Sequence, residues 1–298
     1  MTAVTAGETT GTGRRAGGRD DPPPLRWSRV LTVARTDLRQ LAQARDFWMP
    51  MTFLGALFYA IVPAVLLTTI GRIGSVEVIA RVSSALEMLP EAARTQIRGD
   101  SAAGQTGYAL AVFLFAPMAV IVPLTISTAV GAATLVGERE RGTGEFLAHS
   151  PAAAREIYLG KLIASLVPGY GTVAVGFAVY SLIVNVTVGP EVGGWFFPTA
   201  QWWVMILWVL PPFLALCLSL VLRLSARVSS TAAAQQASGL VSLPLIGIAY
   251  SQATGVLMGA GWLPLWLGAG AWAVALISLT RGMRAVTRSR LLGVGPGL

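Results

Sequence analysis

Long uncharged apolar runs alternate along this chain with short charged clusters. A helix needs about 20 apolar residues to cross roughly 30 Å of hydrocarbon, and the runs reach that length. They predict spans near 47–70, 107–136, 162–188, 202–222, 231–254 and 262–280. The last two share one uncharged stretch, 228–280, divided at the Gly-rich segment 255–261. Pro117 and Pro123 are expected to kink the second span. Pro211-Pro212 is expected to break the fourth near its middle, as a gating hinge or as a kink satisfied by packing. The fold class is therefore all-α and membrane-embedded, with six transmembrane helices.

Two segments outside the spans carry a different pattern. In 25–46, Trp27, Val30, Leu31, Ala34, Leu38, Leu41 and Ala42 recur at spacings of three and four, with Arg and Asp between them. That periodicity predicts an amphipathic helix along the inner membrane surface. Residues 75–98 are expected to be a connecting loop or short amphipathic helices around Pro90. Residues 1–24 are rich in Gly, Thr and Arg and end in three prolines, so a disordered cytoplasmic tail is expected there, with 25–298 as the transmembrane domain. The tail has no apolar core of a signal peptide.

Charge gives the orientation. Eighteen of the 22 Lys and Arg residues fall before the first span, between spans two and three, between four and five, and after six. The other four, Arg72, Arg81, Arg94 and Arg98, share one loop with Glu77, Glu87, Glu91 and Asp100. By the positive-inside rule both termini are cytoplasmic. Trp195, Phe196, Phe197, Trp202 and Trp203 are expected at the outer interface, with Trp262 and Trp266, while Trp48 marks the inner end of span one. Only 12% of the 298 residues are charged, about half the share in a soluble domain, which argues against a soluble enzyme. The net charge of +8 sits in flanking loops, so no nucleic acid is implied. Lys161 is the single lysine, which reads as compositional bias. One cysteine, Cys217, and one histidine, His149, far apart, make neither a disulfide nor a metal site.

The densest polar pattern is Gly137-Glu-Arg-Glu-Arg-Gly-Thr-Gly-Glu-Phe-Leu-Ala-His-Ser-Pro151, in the cytoplasmic loop after span two. Glu138 to Arg141 end that span, and Gly142-Thr143-Gly144 permit a change of direction. Glu145, Phe146 and Leu147 give a short piece with a charged and an apolar side. Ser150-Pro151 reads as an N-cap followed by Pro at the first helical position. The picture is a short cytoplasmic helix between two spans, able to dock a soluble partner. At membrane depth, Gln235, Gln236 and Ser238 could line a substrate path or make interhelical hydrogen bonds. No acidic residue lies within a span, which argues against an ion-coupled carrier.

Glu138, Glu140, Gly142, Thr143, Glu145, Leu147 and Pro151, followed by Arg155, Glu156, Ile157, Gly160 and Lys161, resemble the pattern of permease subunits of type-2 ABC exporters. Ser229-Ser230-Thr231, Gln235-Gln236 and Leu243-Pro244 also look like that family's fifth span. The resemblance implies a permease pairing with a second permease, itself or a relative, in a bacterial cytoplasmic membrane. It implies a coupling helix in 137–151, Phe146 included, docking an ABC ATP-binding subunit that holds ATP and Mg. This chain lacks a Gly-x-x-x-x-Gly-Lys-Ser/Thr phosphate loop, so the ATPase is expected on a separate chain and no catalytic residue is assigned here. The alternative is a non-transporting anchor or sensor paired with an ATPase. An intramembrane hydrolase is a further alternative, disfavoured because no His, Asp or Glu at membrane depth could serve as base.

Overall fold

In a bilayer every backbone N–H and C=O must find a partner within the protein, so apolar runs become helices. The computed structural model describes residues 24–73, 84, 86–87, 89–140, 150–225, 236, 239, 243–253, 255, 257 and 261–285. The expected tail, the segment 141–149 and most of 226–242 lie outside the described residues. The described residues are helical, without a strand.

Helix α1 (Trp27–Gln43) precedes α2 (Arg45–Ala56), a π-helical turn (Leu57–Ile61) and α3 (Val62–Ile73). A short α4 (Glu91–Arg94) starts directly after Pro90. Then come α5 (Ala102–Ala109), a second π-helical turn (Leu110–Leu114) and α6 (Met118–Glu140). Helix α7 (Ala154–Thr187) is followed by α8 (Gly189–Val192), which stops at Gly193 with φ +92°. Next are α9 (Ala200–Val204), a third π-helical turn (Met205–Val209) and α10 (Leu210–Ser225). Helices α11 (Leu243–Ala253) and α12 (Leu263–Ala285) complete the described fold.

Five stretches are long and apolar enough to cross a membrane: Trp48–Ile70, Ala102–Thr134, Ala154–Thr187, Ala200–Leu224 and Leu263–Met283. They correspond to the expected spans one to four and six. Of the expected fifth span, 231–254, α11 is the continuous described part. The second span is central: its most apolar stretch is 72% buried, against 28% in the first and last spans. Phe53, Val65, Val175, Leu182 and Val186 point outward, an apolar surface that fits lipid and not water.

Two expectations about proline are sharpened. The second span is interrupted by a turn over 115–117 that ends on Pro117, after the Phe115 amide has reached back five residues to the Leu110 carbonyl. Helix α6 continues through Pro123. In the fourth span the helix runs on through Pro211-Pro212 instead of breaking there. The missing amides of these prolines would orphan carbonyls one turn earlier. The wide turn at Met205–Val209 lies at that place and absorbs the mismatch.

The aromatics expected at the outer interface also divide. Trp195 and Trp203 are exposed, as headgroup-level residues should be, but Phe197 and Trp202 are buried. Phe177, Tyr180, Phe197 and Trp202 pack ring against ring, with centroids 5.0–5.7 Å apart. Asn185 folds the 193–199 segment onto this cluster. Its Oδ1 accepts from the amides of Phe196 (2.9 Å) and Phe197 (3.0 Å), and its Nδ2 donates to the Phe197 carbonyl (2.6 Å).

Candidate functional site

Helix α6 carries the start of the charged loop: it runs to Glu140, so Glu138 and Glu140 lie in its last turn. Gly142, Thr143, Glu145, Phe146 and Leu147 fall outside the described residues. The described residues resume at Ser150, and Pro151 is exposed. The expected helix start at Ser150-Pro151 is displaced. Helix α7 begins at Ala154 with Ala153 as N-cap residue. The reason is Glu156, three residues into the turn, whose Oε2 reaches back to accept from the Ala153 amide at 2.8 Å. Ala153 has no side-chain oxygen to return the bond, so this is half of a capping box.

Glu156 closes a second helix as well. Its Oε1 accepts from the amide of Arg26, the N-cap residue of α1, at 2.9 Å. The Arg29 guanidinium lies 3.7 Å from Oε2 and donates to the Pro151 carbonyl at 2.7 Å. A carboxylate beside two helix N-termini is favoured by both dipoles. With 1% of its surface exposed, Glu156 is a buried charge whose hydrogen bonds and cationic neighbour offset its lost hydration. The end of the 137–151 loop is thereby fastened to the start of α1.

One turn further, α1 crosses α7 at Gly160. A Cβ there would lie 2.7 Å from Val33 Cβ and 3.0 Å from the Val30 carbonyl, so any larger residue would push the helices apart. The close crossing encloses Lys161, whose side chain has no exposed surface. Its Nζ donates to the Thr134 carbonyl of α6 at 2.8 Å and pairs with Asp37 of α1 at 3.4 Å. In an α-helix the carbonyl of residue 134 is also the acceptor for the amide of Glu138. Lys161 thus joins α1, α6 and α7 one turn from the charged loop.

The same stretch of α7 holds the other helices. Tyr158 donates to Ser219 of α10 at 2.7 Å, and Ser219 lies 3.1 Å from Ser278 of α12. Arg223 donates to Ser219 Oγ (3.3 Å), to Ser278 Oγ (3.0 Å) and to the Ser278 carbonyl. Ile157, Leu162, Leu218 and Leu222 fill the space around this polar knot. Residues 154–161 are therefore a hub on which α1, α6, α10 and α12 meet.

Of the residues expected to line a path, Gln235 and Ser238 fall outside the described residues, and Gln236 is helical and exposed. Two apolar clefts flank the first span. One, of about 470 Å³, lies against α7 between Tyr59 and Val175; the other, of about 350 Å³, lies against α6 between Met51 and Thr125, with Asp46 on its wall. Among the described residues no three His, Cys, Asp or Glu side chains gather as metal ligands.

Sequence reasoning singled out Glu156, Gly160 and Lys161 only through resemblance, and took the lone lysine as compositional bias. It missed Asp37, Arg29 and Thr134. One signal was present: Asp37 falls on the Val30, Ala34, Leu41 stripe of α1, where an amphipathic helix should be apolar. A carboxylate on that stripe calls for a buried cation.

Compared with models of known protein families, the chain matches the one described as ABC-2 family transporter protein over residues 31–272. The match takes in most of α1, the 137–151 loop, the hub and the first four spans, and ends inside α12. Comparison with curated proteins finds no match. The family match covers most of the chain and includes the segments that the hub ties together, so this chain belongs to the ABC-2 family of transporter proteins, membrane permeases of ABC transporters.

Proposed function

We propose that this chain is the permease subunit of an ATP-driven exporter in a bacterial cytoplasmic membrane. Two permeases, alike or related, form the path, and each engages a separate ATP-binding subunit that holds ATP and Mg. The observation that carries this reading is the family match over 31–272. The charged loop 137–151 serves as the coupling element, with Glu138, Glu140, Glu145, Phe146 and Leu147 facing the ATPase. Its position supports the role: it joins the central second span to the hub, so a push on the loop would reach every helix that meets there. Six spans, with α11 inside the fifth, keep both termini on the cytoplasmic side with the excess of Arg. Gln235, Gln236 and Ser238 of that span remain our candidates for the path.

The test is ATPase activity of the reconstituted complex. Glu138→Ala and Glu140→Ala should each abolish permease-stimulated hydrolysis while the complex still assembles. Full stimulation in both variants would sink the reading.

A further inference from the structure

Two apolar clefts flank the first span, and the proposed path uses neither. The larger, about 470 Å³, lies between span one and α7. Its floor is Tyr59, which is buried and donates its hydroxyl to the Met118 carbonyl at 3.3 Å. Gly55, Gly171 and Gly176 face it, and two of them have a packing reason. A Cβ at Gly55 would lie 2.9 Å from the Thr172 methyl, and one at Gly176 would strike the Tyr59 ring. Gly171 has no such reason, because a Cβ there meets nothing within 4 Å. Glycine inside a helix is less favourable than alanine, so the room Gly171 leaves belongs to the cleft and not to the packing of the chain. A second copy's helix is too thick for it. From Thr52 to Ala60 the first span rises about 12 Å, so the cleft has a cross-section of about 40 Å². A helix about 10 Å across covers about 80 Å². An extended hydrocarbon chain is the thinner object that fits.

The charges at the mouth decide what kind of chain. Thr52 to Ala60 lie in the first half of span one, the cytoplasmic half in the orientation proposed above. Seven residues before Thr52, two turns back along α2, Arg45 falls on the same face of the helix. Arg45 is exposed. Trp48, one turn from it, is also exposed and has the character of a headgroup-level anchor. The next residue, Asp46, falls on another side of the helix and lines the smaller cleft against α6. One cleft therefore has a cation at its headgroup end, and the other has a carboxylate. We propose that the larger cleft seats one acyl chain of an anionic phospholipid, with the headgroup phosphate on Arg45. The walls hold the chain by van der Waals contact, with Gly171 supplying the width. Guanidinium and phosphate make a charge-assisted pair at the interface, and Asp46 disfavours the same headgroup at the mouth of the other cleft. The site goes beyond the exporter reading and rests on it only for the leaflet.

The experiment uses the full chain in mixed micelles, with dioleoyl phosphatidylglycerol carrying a photoreactive diazirine at mid-chain as the probe. Peptide mass spectrometry locates the adducts. They should fall on 52–60 and 168–179, the two walls of the cleft. Unlabelled phosphatidylglycerol should displace the probe about fivefold better than phosphatidylcholine, the worth of one Arg facing anionic lipid. Arg45→Gln should erase that preference. Gly171→Leu puts a side chain into the cleft where a Cβ meets no protein atom, and should abolish labelling of both walls. Should that variant fail to fold, Val175→Trp on the exposed wall of the same cleft replaces it. Labelling at 125–129, in the cleft beside Asp46, should be unaffected by these variants. Adducts absent from the two walls, or unchanged when the cleft is filled, overturn the proposal. Equal displacement by the two lipids overturns it as well. So does a disulfide between two copies through Val175→Cys in a Cys217→Ala background, formed without lipid adducts, because this face would then join two permeases. Micelles have no leaflets and the assay contains no ATPase, so the exporter reading stands or falls separately, on Glu138→Ala and Glu140→Ala.

Discussion

Removing Asp37 should destabilise the protein more than removing Lys161, and removing both should destabilise it least. The lysine side chain is fully covered, with its ammonium 3.4 Å from the Asp37 carboxylate. At an effective dielectric of about 20 that separation corresponds to an attraction of about 5 kcal/mol. Stranding a buried charge by deleting its partner costs about 3–5 kcal/mol in comparable sites, so the two arguments agree for Asp37→Ala. The Thr134 carbonyl at 2.8 Å remains and keeps the loss towards the lower figure. Lys161→Met removes the covered charge itself and takes one ion pair from Asp37, whose side chain is 9% exposed and within reach of water. About 1–3 kcal/mol is expected there. Asp37→Leu with Lys161→Met leaves no charge behind and should lie within about 1 kcal/mol of native. The assay is equilibrium unfolding of the four proteins in mixed micelles, read as a double-mutant cycle. Equal losses in Asp37→Ala and in the apolar pair would refute the reasoning, because then packing, not the stranded charge, would set the stability.

Two further outcomes test the fold. Gly169→Ala would place a Cβ against Ser127 and 2.6 Å from the Pro123 carbonyl, where α6 and α7 cross; the helices must part, and unfolding should reveal a loss of about 1–3 kcal/mol. Adding Ser127→Gly should recover only part of it, since the backbone carbonyl stays. Asn185→Leu strips the partner from the amides of Phe196 and Phe197, each worth about 1–3 kcal/mol when left unpaired, while the Phe197 carbonyl keeps its bond from Ser181 at 3.2 Å. Proteolysis near Trp195 should accelerate strongly while α7 remains protected; unchanged cleavage would count against the docked segment.

Five of the six expected spans were legible because the bilayer demands long apolar helices, which the sequence marks by length alone. The limits of α7 were less so. Ser150-Pro151 is a good local start signal, but Glu156 caps the Ala153 amide and sets the start at Ala154; its second bond, to the Arg26 amide 130 residues away, is one that no local rule reports. Phe197 and Trp202 have the composition of an interfacial belt, yet Asn185 folds their segment inward. The loop motif could be read as a site through resemblance. Its anchorage could not, because Asp37, Thr134 and Lys161 come from three segments whose pairing depends on how the helices cross.

The central claim is that loop 137–151 meets an ATP-binding subunit on the cytoplasmic side. A photo-crosslinking residue in place of Phe146, in cells co-expressing that subunit, tests it most directly, with Glu87 in the opposite loop as control. The account predicts an adduct with the ATP-binding subunit from position 146 and none from position 87. An adduct from 87, or none from 146 in a complex that still co-purifies, would contradict it.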